Sequence, residues 1–390
     1  MALTDRTDVP LPGAGWEQDV PVTAGSDETL MVAGSRYDVV VVGARVAGAL
    51  TAALFAQRGL SVLVVDRSRL PASTLSTHFF RGDWLIRVIG LAGALPDVEA
   101  LGAPHLVCEY NYEGGAPEAV VGPPQDPGEV GWCWSVRRLR LDEVLLESAR
   151  RAGADVVTAM AVAGVTERAG RVTGVVLGDG SAVTTGLVVG ADGRRSTIAQ
   201  LVHAEDRVRF VGQRALYYRY VRGFPGVHDG DPDGPEFSLL GDQLAYVFPS
   251  DAGLTCLALS VNLGEYEQLR HDPVQRFDTL MRGHRGLWDR YADAERVGRL
   301  FGSGPQDDWI RCAAGPGWAL VGDSGLHQDP WSGAGMDCAG TSAALLVESY
   351  CAAGGTDTWI HAYEQGRDER MLEVFHGTVS GAADLSAATP

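Results

Sequence analysis

Two hydrophobic periods alternate along this chain, and their order predicts its architecture. YDVVVV (37–42) ends in four consecutive valines, the kind of run buried on both faces of a parallel sheet. A helix is expected over 46–58, ended by Gly59, and SVLVV then forms a second strand that stops at Asp66. Residues 137–152 carry leucine and valine at helical spacing, with Gly153 just past the end. From 155 to 192 the pattern breaks into β-rich pieces, with the turn GDG at 178–180. A second β-rich region spans 207–262, where ALYYRYVRGF, EFSLL, QLAYVFPS and LTCLALSV are separated by turns such as GVHDGDPDGPE. Helices are expected again over 265–300, 337–353 and 357–375.

This order predicts an α/β chain (α+β overall) in which two domains interleave. A Rossmann-like domain with a parallel sheet takes 36–105, 136–205 and 296–378. A second, antiparallel-sheet domain takes 106–135 and 206–295. Residues 1–35, rich in Pro, Gly, Asp and Thr without periodicity, are expected to be a mobile extension, and 379–390 a flexible tail.

Composition narrows the function. With 390 residues and 45% apolar content, the chain can bury a sizeable core. Its net charge of −18 argues against nucleic acid or an anionic membrane as partner. All the basic residues are arginine, so any Schiff-base or P-loop mechanism is excluded. The six cysteines show no C-x-x-C or metal-ligand spacing, and no metal site is expected. No apolar run reaches membrane-spanning length and no basic-then-apolar leader opens the chain, so the expectation is a cytoplasmic protein that does not insert into membranes.

Three glycine/aspartate segments carry the chemistry: VVVVGARVAGAL (39–50), VVGADGRRST (188–197) and ALVGDSGLHQDPWSGAGM (319–336). In the first, Gly43 permits the tight turn and Gly48 close helix packing, so that the first-turn N–H groups of the helix face a pyrophosphate. Arg45 stands where G-x-G-x-x-G has its middle glycine and offers a guanidinium instead. Asp66, 23 residues after Gly43, ends the second strand, where a carboxylate accepts from ribose hydroxyls. The second segment places Asp192 and Gly193 after an apolar strand. In the third, Asp323 suits a ribityl hydroxyl, and Gly333, Ala334 and Gly335 offer unhindered N–H groups at a helix start.

The order G-x-x-x-x-G, GADGRRS, GD…P…GAGM resembles the FAD-dependent aromatic-hydroxylase superfamily, the group A flavoprotein monooxygenases with a para-hydroxybenzoate-hydroxylase-like fold. STHFF, VRRLRLDEVLLESA and GWALVGDSGLHQDP resemble its actinobacterial oxidoreductase branch, near geranylgeranyl-reductase-like and halogenase-like proteins. The resemblance spans about 37–375. It implies an FAD-binding first domain and a substrate-binding second one. By position, Gly43, Arg45, Val46, Ala47 and Gly48 would hold the pyrophosphate and Asp66 the ribose, with Arg67 near the adenosine. Arg138 and Val162 match cofactor-contacting positions; Asp192 and Gly193 tie the second motif to FAD. Asp323 would meet the ribityl chain or a phosphate, and Pro330, Gly333, Ala334, Gly335 and Met336 would line the flavin ring. Asp337 stands where the family often has asparagine and Ser342 where it often has aspartate; His327 falls one position late.

The resemblance implies an enzyme in which NAD(P)H transiently reduces FAD and oxygen is then inserted into a small molecule, aromatic or polyketide-like, by hydroxylation or epoxidation, in secondary metabolism. His327, Asp337 and His78 are candidates for proton handling. Tyr218, Tyr220, Tyr246, Phe248 and Trp331 are candidates for the substrate wall, with the 218/220 pair on one strand face and the 244/246/248 stripe on another. A flavin halogenase is not expected, since that chemistry uses a lysine and a W-x-W-x-I-P segment, and LAYVFP (244–249) stands in its place. Trp132 and Trp134 read as same-face core residues. Two other readings stay open: a flavin reductase or dehydrogenase of an unsaturated or prenyl substrate, and a non-catalytic flavoprotein.

Overall fold

The computed structural model describes residues 34–113, 116–121, 130–228 and 233–385. Residues 1–33 of the expected extension, the middle of the 226–236 loop and residues 386–390 lie outside the described residues.

The strand Arg36–Val42 lies at the centre of a parallel sheet. Val39, Val40 and Val41 are fully buried because their side chains point alternately into two separate cores. Val62–Val65 and then Asp155–Val157 pair on one side of it, and Ala182–Gly190 and then Trp318–Leu320 on the other, all parallel. Strand order therefore reverses at Arg36–Val42. In open α/β sheets a crevice forms at such a switch point, at the carboxyl ends of the strands. The helix Val46–Ala56, buried along nearly its whole length, packs between this sheet and the helices Arg138–Arg151 and Gly335–Ala352. Gly59 ends the turn after it, with φ +81°.

The second sheet has seven strands in the order Glu295–Ser303, Arg214–Arg222, Leu254–Asn262, Gln243–Pro249, Glu236–Leu240, Cys108–Glu113 and Ala116–Val121. It is antiparallel except where Glu236–Leu240 runs parallel to Cys108–Glu113. Its outer face is covered by the helices Leu263–Leu269, Pro273–Gly283 and Arg285–Asp293 through Leu269, Phe277, Met281, Leu287 and Tyr291. Its inner face looks toward the parallel domain.

Four expectations need correction. The helical region ends at Asp293, and Glu295–Ser303 is a strand that pairs with Arg214–Arg222, so the edge of the second sheet crosses the expected boundary at 296. Glycines 298 and 302 weaken a helix there, and Gly298 sits at φ +70° beside a register shift. The tyrosine pair and the 244/246/248 stripe share one face, because Tyr218 and Tyr246 both pair with Ala258 from opposite sides. The last helix runs Thr358–Ala383, past the expected end at 375 and into the expected tail. Buried Thr378, Gly381 and Ala382 let it pack closely, and Leu385 is buried against the inner face of the second sheet.

Trp132 and Trp134 do share a core environment, edge to face at 6.3 Å. Among the described residues no helix is long and apolar enough to cross a membrane, and no acidic, histidine or cysteine cluster has metal-ligand geometry.

Candidate cofactor cleft and active site

A cleft of about 550 Å³ opens along the carboxyl ends of the parallel strands, a size typical of ligand sites. Residues directly after four strands line it: Gly43, Asp66, Ala191 and Val321. The three sequence motifs are therefore neighbours in space because their strands are neighbours in the sheet.

The glycine loop is built for close approach. A Cβ on Gly43 (φ +105°) would lie 2.3 Å from the carbonyl oxygen of Ala191, and one on Gly48 would lie 1.8 Å from the carbonyl oxygen of Gly43. Gly48 is thus a packing residue behind the cleft, while Gly43, Arg45, Val46 and Ala47 line it. The helix starting at Val46 has no acidic residue in its first turn and no side-chain cap, so its positive end is available to an anion. Asp66 accepts from the Ala44 N–H at 2.8 Å and, through its other oxygen, from the Ser68 N–H at 2.7 Å. Each oxygen keeps a second lone pair for a hydroxyl.

Arginine dominates the rim. Arg45, Arg67, Arg138, Arg194 and Arg195 line the cleft against the carboxylates of Asp66, Asp192 and Asp323, a local excess of positive charge in an acidic chain. Arg138 grips Asp142 with two donors at 2.9 and 3.1 Å, and Arg45 reaches the same carboxylate at 4.0 Å. These residues fit a dinucleotide: glycines where its backbone must pass, a bare helix end and cations for its diphosphate, and acids for its sugar hydroxyls.

Val162 and Gly193 line the cleft. Asp192 lines it too, but its carboxylate accepts from Ser196 Oγ at 2.5 Å and from the Thr197 N–H at 2.6 Å, tying the motif to the helix Thr197–Leu201; burial raises its pKa. In the third motif Asp323, Pro330, Gly333, Gly335 and Met336 line the cleft, and Ala334 stands just outside it. Beneath this loop lie two buried acids. The Asp329 N–H donates to Asp308 Oδ1 at 2.5 Å, and burial pushes Asp329 up to about 7 and Asp308 to about 6.

The three proton-handling candidates separate. His327 lines the cleft and stacks on Trp309 at 4.7 Å. Its Nδ1 lies 3.0 Å from the Asp307 carbonyl oxygen, an acceptor, so Nδ1 carries the proton; burial lowers its pKa and keeps it neutral. Asp337 is off the cleft and accepts from the Arg81 N–H at 3.2 Å. His78 is also off the cleft, buried, with Nε2 on the Tyr220 hydroxyl.

Of the substrate-wall candidates, Tyr218 lines the cleft, with Leu216 beside it. Tyr220 is bound to His78, Phe248 is stacked on Phe79 at 4.6 Å, and Tyr246 donates to the Trp331 carbonyl. Trp331 itself turns away and donates Nε1–H to the Thr378 carbonyl at 2.7 Å.

Sequence reasoning passed over several lining residues: Ser73 to Thr77, Arg194, Arg195, Ser303, Gln306 and Gln328. Arg194, Arg195 and Gln328 stood inside quoted motifs, and Ser76 and Thr77 inside STHFF. Ser303 and Gln306 lie in an aperiodic stretch that gave no signal.

Comparison with known proteins agrees with this cleft. A family model for an FAD binding domain matches residues 36–216. Digeranylgeranylglycerophospholipid reductase 2 of Methanothermobacter thermautotrophicus is 30% identical over 331 residues, covering 80% of this chain and 77% of that protein. Menaquinone reductase of Mycolicibacterium smegmatis is 28% identical over 351 residues, covering 83% and 78%. Among solved structures, the myxobacterial FAD-dependent chondrochloren halogenase superposes with a TM-score of 0.76 at 20% identity, covering 88% of this chain and 83% of that one. PqsL of Pseudomonas aeruginosa, a probable FAD-dependent monooxygenase, superposes with a TM-score of 0.75 at 20% identity, covering 91% and 98%. At that identity the two structures speak for the fold. Motif order, cleft and relatives converge: the chain belongs to the FAD-binding superfamily that includes the aromatic hydroxylases and the geranylgeranyl-reductase-like enzymes, and it is an FAD-dependent oxidoreductase.

Proposed function

We propose that this protein is a monooxygenase that uses FAD, NAD(P)H and O2 to hydroxylate or epoxidise an aromatic or polyketide-like small molecule. The observation that carries this reading is the inner end of the cleft. Phe79, Leu216, Tyr218 and Met336 wall it with two aromatic rings and two apolar chains, and Tyr220, Tyr246 and Phe248 are committed to other partners. Among the described residues, only Leu216, Tyr218 and Ser303 of the second sheet reach the cleft. Two aromatic rings and two apolar chains at the cleft wall suit an aromatic ring as ligand.

Bound FAD supplies the two-electron chemistry. Gly43, Arg45, Val46, Ala47, Asp66 and Arg138 would hold its ADP half, and Asp323, Pro330, Gly333, Gly335 and Met336 its flavin half. The chain's own residues do the rest. Phe79, Leu216 and Tyr218 exclude water and orient the ring. Neutral His327 is held on both sides, Nδ1 by the Asp307 carbonyl at 3.0 Å and Nε2 by the Gln306 side-chain amide at 3.1 Å, so it would serve as a fixed polar wall of the cleft. The lack of lysine and the residues LAYVFP at 244–249 support a reaction other than halogenation. Six free cysteines suit a reducing cytoplasm.

A second reading, reduction of an unsaturated or prenyl substrate, is favoured by the names of the two curated relatives. One experiment separates them. FAD-loaded protein is reduced with NADPH under argon, then given isotope-labelled dioxygen and a panel of phenols and polycyclic aromatics. Label in an organic product is the expected result. Anaerobic saturation of a prenylated quinone, with no label taken up from oxygen by any substrate, overturns the proposal and establishes the reductase. If NADPH leaves the flavin oxidised with every ligand, the protein is a flavin carrier.

A further inference from the structure

His78 occupies a backbone conformation that side chains rarely adopt, with φ +66°. The surrounding structure holds it there. Its N–H donates to Ser76 Oγ at 3.0 Å, and its carbonyl accepts from the Val136 N–H at 3.2 Å. Such strain persists only where neighbours enforce it.

The side chain joins two walls of the cleft without entering it. Nδ1 accepts the N–H of Arg138 at 3.3 Å. Arg138 is the first residue of the helix Arg138–Arg151, and its guanidinium lines the cleft and shares Asp142 with Arg45. A neutral imidazole that accepts at Nδ1 carries its proton on Nε2, so Nε2 donates to the Tyr220 oxygen. Burial, with Arg138 and Arg137 beside it, holds the imidazole neutral. On the sheet side, the Tyr220 ring lies parallel to the imidazole at 5.6 Å. Tyr218, which does line the cleft, meets it edge-on at 5.6 Å.

We propose that His78 is a positioning residue for FAD: it fixes the start of the Arg138 helix against the tyrosine strand, so that the aromatic wall and the arginine grip on the cofactor are set together. The inference needs only FAD in the cleft. It holds whether the reaction inserts oxygen or reduces a double bond.

The test is equilibrium titration of the apo-protein with FAD, followed by flavin fluorescence, beside thermal unfolding of the same samples. Tyr220→Phe removes one oxygen atom from the link. His78→Asn tolerates the left-handed backbone and keeps an acceptor near Nδ1, but is too short to reach Tyr220. Each single variant is expected to weaken FAD binding about tenfold, the effect of losing one buried hydrogen bond. The double variant should be no weaker than the worse single one, since both cut the same link. Unchanged FAD affinity in Tyr220→Phe, with only a lower unfolding temperature, overturns the proposal. So do losses in the two single variants that multiply in the double. A wild-type protein that takes up no FAD would instead sink the reading of the cleft itself.

Discussion

The Tyr246 hydroxyl donates to the carbonyl oxygen of Trp331 across 2.8 Å, which fastens the second sheet to the loop carrying Pro330 and Gly333. The Trp331 indole donates in turn to the last helix, so the loop is held from both sides. Tyr246→Phe removes the donor and leaves a carbonyl at the domain junction without it. A loss of about 1 kcal/mol in urea unfolding is expected, together with faster release of FAD on dilution.

Asp329 and Asp308 predict a pH dependence. A buried acid whose pKa in the fold lies above its unfolded value stabilises the fold below that unfolded value. The contribution is lost as pH rises through the folded one. With Asp329 at about 7 and Asp308 at about 6, stability should fall as pH rises from about 4 to about 7. Asp329→Asn stays neutral throughout. Its advantage over the wild type should therefore be smallest near pH 4 and grow by roughly 4 kcal/mol by pH 8, in denaturant unfolding at the two pH values. Equal differences at both would show that Asp329 does not ionise in this window.

Gly48→Ala places a methyl group where the Gly43 carbonyl oxygen now lies, 1.8 Å away. The helix must retreat from the loop, and both the packing and the anion site go with it. FAD uptake is expected to disappear while much of the fold remains, so circular dichroism should change little as flavin absorbance of the purified protein is lost.

Arg45 takes the place of a glycine in the phosphate loop, and its guanidinium lies between Asp142 and the Ser73 carbonyl. Arg45→Gly restores the usual glycine pattern but removes a cation from the anion end. FAD affinity should drop about tenfold at low salt, and the gap from the wild type should narrow at high ionic strength as charges are screened. An affinity that rises on restoring the glycine would mean that loop shape outweighs charge.

Much of this cleft was legible beforehand because parallel sheets turn sequence motifs into spatial neighbours. A strand ending in Gly43, Asp66 or Asp192 delivers that residue to one edge of the sheet whatever else the chain does. The aromatic candidates were harder. Alternation shows that Tyr218, Tyr220, Tyr246 and Phe248 point to a face; it does not show which of them finds a partner there. Tyr220 is bound to His78, 142 residues away, and only Tyr218 reaches the cleft. The strand Glu295–Ser303 was hidden because exposed arginines and two glycines break its alternation. Gln306 and Gln328 sit in loops, where position depends on the whole fold rather than on any local period.

The two ends of the cleft come from Gly43 and from Gly322 to Met336, and the parallel strand Trp318–Leu320 completes the sheet beside Ala182–Gly190. During synthesis the helix Val46–Ala56 therefore waits for its packing partner Gly335–Ala352, made nearly three hundred residues later. Such long-range closure is slow and exposes apolar edges meanwhile. Flavin capture can only follow it, so supplementing FAD late in expression should rescue yield as well as FAD present from the start.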